Sequence, residues 1–232
     1  MLLPSPMLKG KLLKRYKRFL TDILLDNDEV ITAHCPNSGS MKNLIEDSPT
    51  VYVSQSDNPK RKLPYTLELI ERGDGAMAAA YSAKANAVTV EALEQGIITQ
   101  LTDYETIRTE VPYGTNSRID ILLENGGGKC YVEVKSVTLL ENNTLMFPDS
   151  VTTRGQKHLR ELIQVKKAGD RAVIFFAVLH TGGTSFSPAD HIDPLYGKLL
   201  REAKEAGVEI LVYQAAITPR SITLEKEIPI TL

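Results

Sequence analysis

The sequence predicts an α/β (α+β) chain in two parts, a small β-barrel over residues 1–82 and a mixed-sheet core over residues 83–232. Three observations carry this. Up to about residue 80, short strand-like runs alternate with turns containing Asp, Asn, Gly or Pro, the pattern of a small barrel. From residue 85, helix-like and strand-like segments alternate, the pattern of an α/β layered core. Within that second part, Ala172-Val173-Ile174-Phe175-Phe176-Ala177-Val178-Leu179 is an unbroken apolar run of strand length, as a buried central strand should be.

Each element follows from local pattern. Leu8 to Leu25 contains alternating stretches and ends in the turn Asp26-Asn27-Asp28-Glu29. Val30-Ile31-Thr32-Ala33-His34 resumes a strand. Val51-Tyr52-Val53 and Tyr65 to Ile70 supply two more, separated by Asp57-Asn58-Pro59. Gly73-Asp74-Gly75 and the small-residue stretch Ala76 to Ala80 close this part, so a domain break is expected near residues 80–85. Ala85 to Gln95 reads as a helix, with Val88, Ala92 and Leu93 on one side and Gly96 to end it. Ile107 to Val111 is a strand, followed by a hairpin around Asn125-Gly126-Gly127-Gly128. Val151 to Lys167 is amphipathic, with Leu159, Leu162, Ile163 and the stem of Lys166 at helical spacing. Pro194 to Ala206 is a helix closed by Gly207, and Val208 to Tyr213 is the last strand. No GxGxxG or Walker loop is present, so a doubly wound nucleotide-binding fold is not expected.

A hydrophobic content of 42% and a charged content of 24% over 232 residues are ordinary for a globular chain with a proper core. No apolar run reaches transmembrane length, and the start Met1-Leu2-Leu3-Pro4-Ser5-Pro6 lacks the basic and apolar regions of a signal peptide. Cys35 and Cys130 form neither a disulfide framework nor a metal-ligand cluster. A cytoplasmic location is the default expectation. The net charge of -2 argues against a uniformly basic nucleic-acid binder, but the charge is uneven. Residues 1–62 hold ten Lys/Arg against seven Asp/Glu, which leaves 17 against 22 in the remainder. The basic excess sits in Lys9-Gly10-Lys11, Lys14-Arg15, Lys17-Arg18 and Lys60-Arg61-Lys62.

Two segments around the hairpin carry chemistry: Ser117-Arg118-Ile119-Asp120 and Tyr131-Val132-Glu133-Val134-Lys135. Strand side chains alternate, so Glu133 and Lys135 share a face, roughly 7 Å apart. A two-residue turn at Gly126-Gly127 sets Asp120 opposite Glu133, and one at Gly127-Gly128 sets it opposite Lys135. Both registers put all three groups on one face. Carboxylates about 5 Å apart across a strand pair repel unless a cation lies between them. Mg²⁺ or Mn²⁺ accepts one or two carboxylates together with waters and substrate phosphate. The expected site is therefore Asp120 and Glu133 as metal ligands, with the backbone carbonyl of Val134 as a third and Lys135 beside them. That is the layout of a metal-dependent phosphodiester-cleaving site. The bland alternative is a solvated hairpin with a cross-strand ion pair.

The order helix, three-strand meander with Asp then Glu-x-Lys, helix, strand resembles the restriction-endonuclease-like PD-(D/E)xK superfamily over about residues 85–180. Pro148-Asp149 looks like that superfamily's "PD" but follows the Glu-x-Lys, so it reads as a loop and helix-entry element. The whole chain resembles the sugar fermentation stimulation (SfsA) family. The matching stretches are Arg15-Tyr16-Lys17-Arg18-Phe19-Leu20, His34-Cys35-Pro36-Asn37-Ser38-Gly39-Ser40-Met41, Ser56-Asp57-Asn58-Pro59-Lys60-Arg61-Lys62, the two hairpin segments, and Arg154-Gly155-Gln156-Lys157-His158-Leu159-Arg160-Glu161-Leu162. Ser38 stands where Thr is usual, and Ala80-Tyr81-Ser82 replaces a more usual Val-Asn-Thr. The resemblance implies an N-terminal OB-like barrel ahead of a nuclease-like core. It also implies a bacterial DNA-binding protein linked to sugar, especially maltose, metabolism.

Further site residues follow. The superfamily's use of the helix after the Glu-x-Lys strand points to Gln156 as a catalytic residue, with Lys157 and His158 as phosphate contacts. Its extra acidic ligand on the preceding helix points to Glu91, with Glu94 as competitor. OB-like barrels bind nucleic acid along a charged groove. That gives Lys14, Arg15, Lys17, Arg18, Lys60, Arg61 and Lys62 a use, with Arg118 near the hairpin. Phe19 is expected to fill the barrel core. His34-Cys35 lacks the geometry of a nucleophile pair, because neighbouring strand residues point to opposite faces. Pro36-Asn37-Ser38-Gly39-Ser40 is expected to be a tight hydrogen-bonded loop lining a nucleic-acid groove. Two functions are compatible with these residues. One is a Mg²⁺- or Mn²⁺-dependent nuclease acting on DNA. The other is a non-catalytic, nonspecific DNA-binding regulator of sugar (maltose) genes. No membrane partner is expected, and the oligomeric state is open, a homodimer being one option.

Overall fold

A computed structural model describes residues 1–37, 39–114 and 117–232. The first sheet contains β1 (Leu8–Tyr16), β2 (Leu20–Leu25), β3 (Val30–His34), β4 (Thr50–Gln55), β5 (Tyr65–Glu71) and β6 (Met77–Ala79). The order β3-β2-β1-β4-β5 closes on itself because β3 also pairs with β5, in parallel, at Ala33–Tyr65 and His34–Thr66. The result is a closed five-strand OB-like barrel. Its strands alternate as a half-buried strand must. Leu12, Ile23, Leu25, Ile31, Ala33, Val51, Val53 and Leu67 fill its interior. A small barrel needs sharply bent strands. Here β1 is bulged between Leu12 and Lys14. Gly10 admits the close approach of β2, since a Cβ there would lie 2.4 Å from the Leu24 carbonyl oxygen.

β6 leads out of the barrel. The Ala79 amide donates to the Leu179 carbonyl, and Ala78 bridges to His180. The helix α1 (Lys84–Glu94) follows, ending at Gln95, with Gly96 at φ +68 taking the left-handed conformation. Then come β7 (Thr106–Tyr113), β8 (Ser117–Asn125), β9 (Gly128–Val137), β10 (Leu139–Glu141), β11 (Thr144–Phe147), α2 (Thr153–Lys167), β12 (Arg171–Val178), β13 (Ser185–Pro188), α3 (Pro194–Glu205), β14 (Glu209–Thr218) and β15 (Ser221–Glu227). The main sheet has the order β15-β14-β12-β9-β8-β7, with β9, β12 and β14 parallel and the other pairs antiparallel. β12 is central, and the apolar run in it is buried from Ala172 through Val178.

The two faces of this sheet have separate cores. α1 packs Ala85, Val88 and Ala92 against Val132, Val134, Phe175 and Leu211. α2 and α3 pack Leu159, Leu162, Leu199 and Leu200 against Leu122, Ile174, Phe176 and Val212 on the other face. Both helices carry N-caps: Thr152 accepts from the Gly155 amide and Asp193 from the Tyr196 amide. α2 therefore begins two residues later than its amphipathic pattern suggests.

The sequence pattern did not show β10, β11 and β13, which form a separate three-stranded sheet, nor the edge strand β15. Phe19 is the other correction. It is 51% exposed in the β1–β2 turn rather than part of the barrel core. Cys35 and Cys130 are both buried and free. No helix among the described residues is long and apolar enough to cross a membrane.

Candidate functional site

The β8–β9 hairpin pairs Asn125 with Gly128, then Leu123 with Cys130 and Ile121 with Val132. The turn is thus Gly126-Gly127, and by register Asp120 falls across from Glu133. The ladder stops at Ile121–Val132. In this register the Val134 amide would next be given to the Ile119 carbonyl. Instead it donates to Asp120 Oδ2 at 2.8 Å. A carboxylate has replaced a backbone acceptor, and the two strands part at that point. Alternation breaks there too: Ile119 and Leu122 lie in one core, Ile121 and Leu123 in the other. On β7, Glu110, the residue across from Asp120 by register, has φ +55.

The consequence corrects the expectation of a single shared face. Glu133 and Lys135 face α2, whereas Asp120 reaches through the opened ladder. Its Oδ1 accepts from Asn86 Nδ2 of α1 at 2.9 Å. Burial, then the neighbouring Glu133 charge, pushes the Asp120 carboxyl above the ordinary range, against the Val134 amide, Asn86 and Lys135.

Glu133 is 1% exposed. Burial pushes its carboxyl up, but His158 and Lys135 together outweigh that and hold it low. Lys135 Nζ lies 2.5 Å from Glu133 Oε1, and His158 Nδ1 contacts the same oxygen. On the far side of the imidazole, Arg154 Nε donates to His158 Nε2 at 3.3 Å. His158 Nδ1 lies between two groups of opposite demand, the Glu133 oxygen, which accepts, and Lys135 Nζ at 3.2 Å, which donates. With Nε2 accepting from Arg154, a neutral ring carries its proton on Nδ1 and points it at Glu133. Glu133 Oε2, by contrast, is buried and has no hydrogen-bond partner among the described residues. Nearby, the Tyr113 hydroxyl also has no hydrogen-bond partner among the described residues, its pKa pushed far up by burial and by Glu133, Glu161 and Asp120. Glu161 accepts from Ser117 Oγ at 2.8 Å and sits 3.6 Å from Lys157 Nζ.

Other expected residues lie elsewhere. Gln156 is turned away from Glu133, and its Nε2 donates to both carboxylate oxygens of Asp193 at 3.0 Å, bracing the α3 cap. The residue of α2 that meets Glu133 is His158, two positions and about 200° further round. Glu91 is engaged by the Met1 ammonium, and the α1 side chain at Asp120 is Asn86. Arg118 is exposed, donating to the Glu110 carbonyl at 3.4 Å.

Arg15 is half-buried and bonded within the chain. Its guanidinium donates to the carbonyls of Arg18, Asn37, Gly39 and Ser40. It thereby ties the β1–β2 turn to the loop after β3. In that loop Asn37 Oδ1 accepts from the Gly39 amide, the tight turn the sequence suggested, while Ser38 is outside the described residues. Asp149 docks on the same loop, accepting from Ser40 Oγ and the Met41 amide. Lys14, Lys17, Arg18, Lys60, Arg61 and Lys62 are exposed. They sit in or beside the β1–β2 and β4–β5 connections, the loops at which OB barrels bind oligonucleotides or oligosaccharides.

Asn86, Tyr113, Arg154 and Glu161 were not singled out from sequence as site residues. Arg154, His158 and Glu161 follow helical spacing of four and three, a face that periodicity alone could have revealed. Nothing in the sequence pointed to Asn86. Among the described residues no cluster of three His, Cys, Asp or Glu side chains is placed to hold a metal. Two carboxylates are what the geometry offers.

A closed OB-like barrel joined to a mixed six-stranded core, with Asp, Glu, Lys and His meeting where a hairpin opens, defines a two-part class of protein. Sequence comparison divides the chain the same way. Residues 13–78 match the SfsA N-terminal OB domain, and residues 83–221 match the sugar fermentation stimulation protein RE domain. The chain belongs to the sugar fermentation stimulation protein family. It is 54% identical over 230 residues to a sugar fermentation stimulation protein homolog of Geobacter sulfurreducens, covering 99% of this chain and 98% of that one. A homolog from Shewanella loihica is 51% identical over 234 residues, with both chains fully covered. A solved structure of Pyrococcus furiosus SfsA in complex with Ca²⁺ is 28% identical, with a TM-score of 0.89 over 100% of this chain and 98% of that one.

Proposed function

We propose that this chain is a DNA-binding protein with a Mg²⁺- or Mn²⁺-dependent phosphodiesterase site of the PD-(D/E)xK type. The observation that carries the reading is a buried Glu133 oxygen with no hydrogen-bond partner among the described residues, set by register across from Asp120, whose carboxyl burial and then Glu133 push up. Two carboxylates in an opened ladder weaken a fold unless something positive joins them. A hard divalent ion tolerates such a pair, completing its shell with waters and phosphate oxygen. Asp120, Glu133 and the Val134 carbonyl would hold it, and it would supply Lewis-acid activation of a phosphoryl oxygen and of water. The Ca²⁺ in the Pyrococcus furiosus relative supports an oxygen-ligand cation site in this family.

The chain's own residues supply the rest. His158 holds Glu133 in place, and the Lys135 ammonium offsets charge that develops on phosphorus. The exposed Lys14, Lys17, Arg18, Lys60, Arg61 and Lys62 give the barrel its attraction for the DNA backbone without sequence preference. Location in the cytoplasm and a link to sugar-utilisation genes belong to the same reading.

The test is cleavage of single-stranded, duplex and branched DNA with Mg²⁺ or Mn²⁺. Asp120→Ala and Glu133→Ala should abolish cleavage while retaining most DNA affinity, because phosphate contacts elsewhere dominate it. Cleavage by neither cation, with no metal bound on titration, would leave the regulator that only binds DNA.

A further inference from the structure

The Arg154–His158–Glu133 chain links the surface of α2 to the most buried carboxylate of the site. Arg154 is exposed, His158 is 4% exposed and Glu133 is 1% exposed. The three form one line of contacts running inward: Arg154 Nε to His158 Nε2, then His158 Nδ1 to Glu133 Oε1. Only Nε of the guanidinium is used. The other four N–H donors, on Nη1 and Nη2, make no hydrogen bond among the described residues, and the group stands one imidazole's width from Glu133. It projects from the first turn of α2, whose N-terminal end favours negative charge.

We propose that Arg154 has two roles here: its Nη groups bind a backbone phosphate of the nucleic acid, and its Nε positions Glu133 by fixing the His158 tautomer. The phosphate role rests on the phosphodiester reading of the site; the positioning role does not. An arginine suits both tasks, because its planar fork donates from Nε and from the Nη edge in different directions. A lysine presents a single point of charge. With Nε–H directed at His158 Nε2, the imidazole can offer its proton only from Nδ1. The Glu133 oxygen that accepts it is thereby held, leaving Oε2 as the free one. A phosphate on the Nη edge would lie at the surface of α2, across the imidazole from Glu133 and Lys135.

Long-range ¹H–¹⁵N correlation of the histidine rings reads the tautomer directly in the intact, ligand-free protein. His158 should show the Nδ1–H form, and Arg154→Ala, which frees Nε2 and lets Lys135 Nζ donate to Nδ1, should shift it toward Nε2–H without loss of the folded spectrum. A labelled oligodeoxynucleotide, duplex and single-stranded in parallel and in EDTA, reads the phosphate role. Arg154→Ala should weaken binding roughly tenfold and flatten the log–log salt slope by about one unit. Arg154→Lys should restore the slope but not the tautomer. An Nε2–H His158 in the unaltered protein, or one indifferent to Arg154→Ala, overturns the positioning role. Unchanged affinity and slope overturn the phosphate role, even if the protein cleaves DNA. The expected tautomer, affinity and slope changes in a protein that never cleaves would sustain Arg154 while removing the catalytic reading.

Discussion

Replacing Asp120 by Asn should stabilise the protein without cations and abolish its stabilisation by them. Asn keeps an oxygen to accept the Val134 amide, and a flip of the Asn86 amide preserves the second contact. What it removes is a charge that burial and Glu133 both oppose. The relief should be on the order of 1 kcal/mol. For a chain of 232 residues that raises Tm by about 2–4 °C. The unaltered protein behaves oppositely when a cation binds. At about 100 times Kd the gain is about 2.7 kcal/mol, so its Tm should rise by roughly 5–11 °C. Scanning calorimetry in EDTA and in MgCl₂ would therefore show the order of the two proteins inverting. Acidification adds a sign. The Asp120 pKa is raised, so its penalty is present at neutral pH and fades as pH falls through the folded-state value. The advantage of Asp120→Asn in EDTA should shrink accordingly. Glu133 is lowered, so its contribution is present above the unfolded value and lost as pH falls through the folded one. Glu133→Gln should hence cost stability at neutral pH. An Asp120→Asn protein that melts lower in EDTA, or rises with Mg²⁺ as the unaltered one does, would refute the cation-site reasoning.

Other regions make equally definite statements. His180 is fully buried and its pKa is lowered to about 4 from 6.5, by burial first and Arg72 second. As pH falls from 6.5 toward 4, the unfolded chain takes up a proton the folded one refuses, so stability should drop by about 1.4 kcal/mol per pH unit. His180→Asn, which can still accept from the Gly182 amide, should remove that slope in urea denaturation performed at stepped pH. Alanine at Lys17, Arg18, Lys60, Arg61 and Lys62 should flatten the salt dependence of DNA binding by about one log–log unit per lost phosphate contact. Arg15→Ala should act differently, lowering Tm by releasing the carbonyls of Asn37, Gly39 and Ser40 while changing the salt slope little.

Where one element was buried on a defined face, the fold was legible in the chain. The run from Ala172 to Val178 announced a central strand because it is apolar on both sides, and that strand lies between β9 and β14. α1 and α3 ended where Gly96 and Gly207 take positive φ. The small sheet was not legible, because β10, β11 and β13 have three or four residues each and β13 ends in Pro188. Strands that short carry no measurable alternation and exist because their neighbours shape them. Phe19 failed for another reason. Its aromatic ring suggested a core position, but the turn in which Lys17 and Arg18 both adopt positive φ sends it outward.

The site was legible in its parts and not in its assembly. Turn chemistry at Asn125-Gly126-Gly127-Gly128 gave two registers, and the observed one pairs Ile121 with Val132. Pairing arithmetic assumes that a ladder continues, however, and this one stops where the candidate site begins. A carboxylate at Asp120 can accept the Val134 amide only because the backbone there has already parted. The same departure from regular pairing lets Asn86 reach Asp120 from the opposite face. Periodicity describes regular elements, so it loses sight of residues at the point where regularity is given up. On α2, where the helix stays regular, the face shared by Arg154, His158 and Glu161 was available to spacing alone. Gln156 was a misreading of that face. Two positions from His158 on a helix is about 200° around the axis, far enough to aim its amide at Asp193 instead of Glu133.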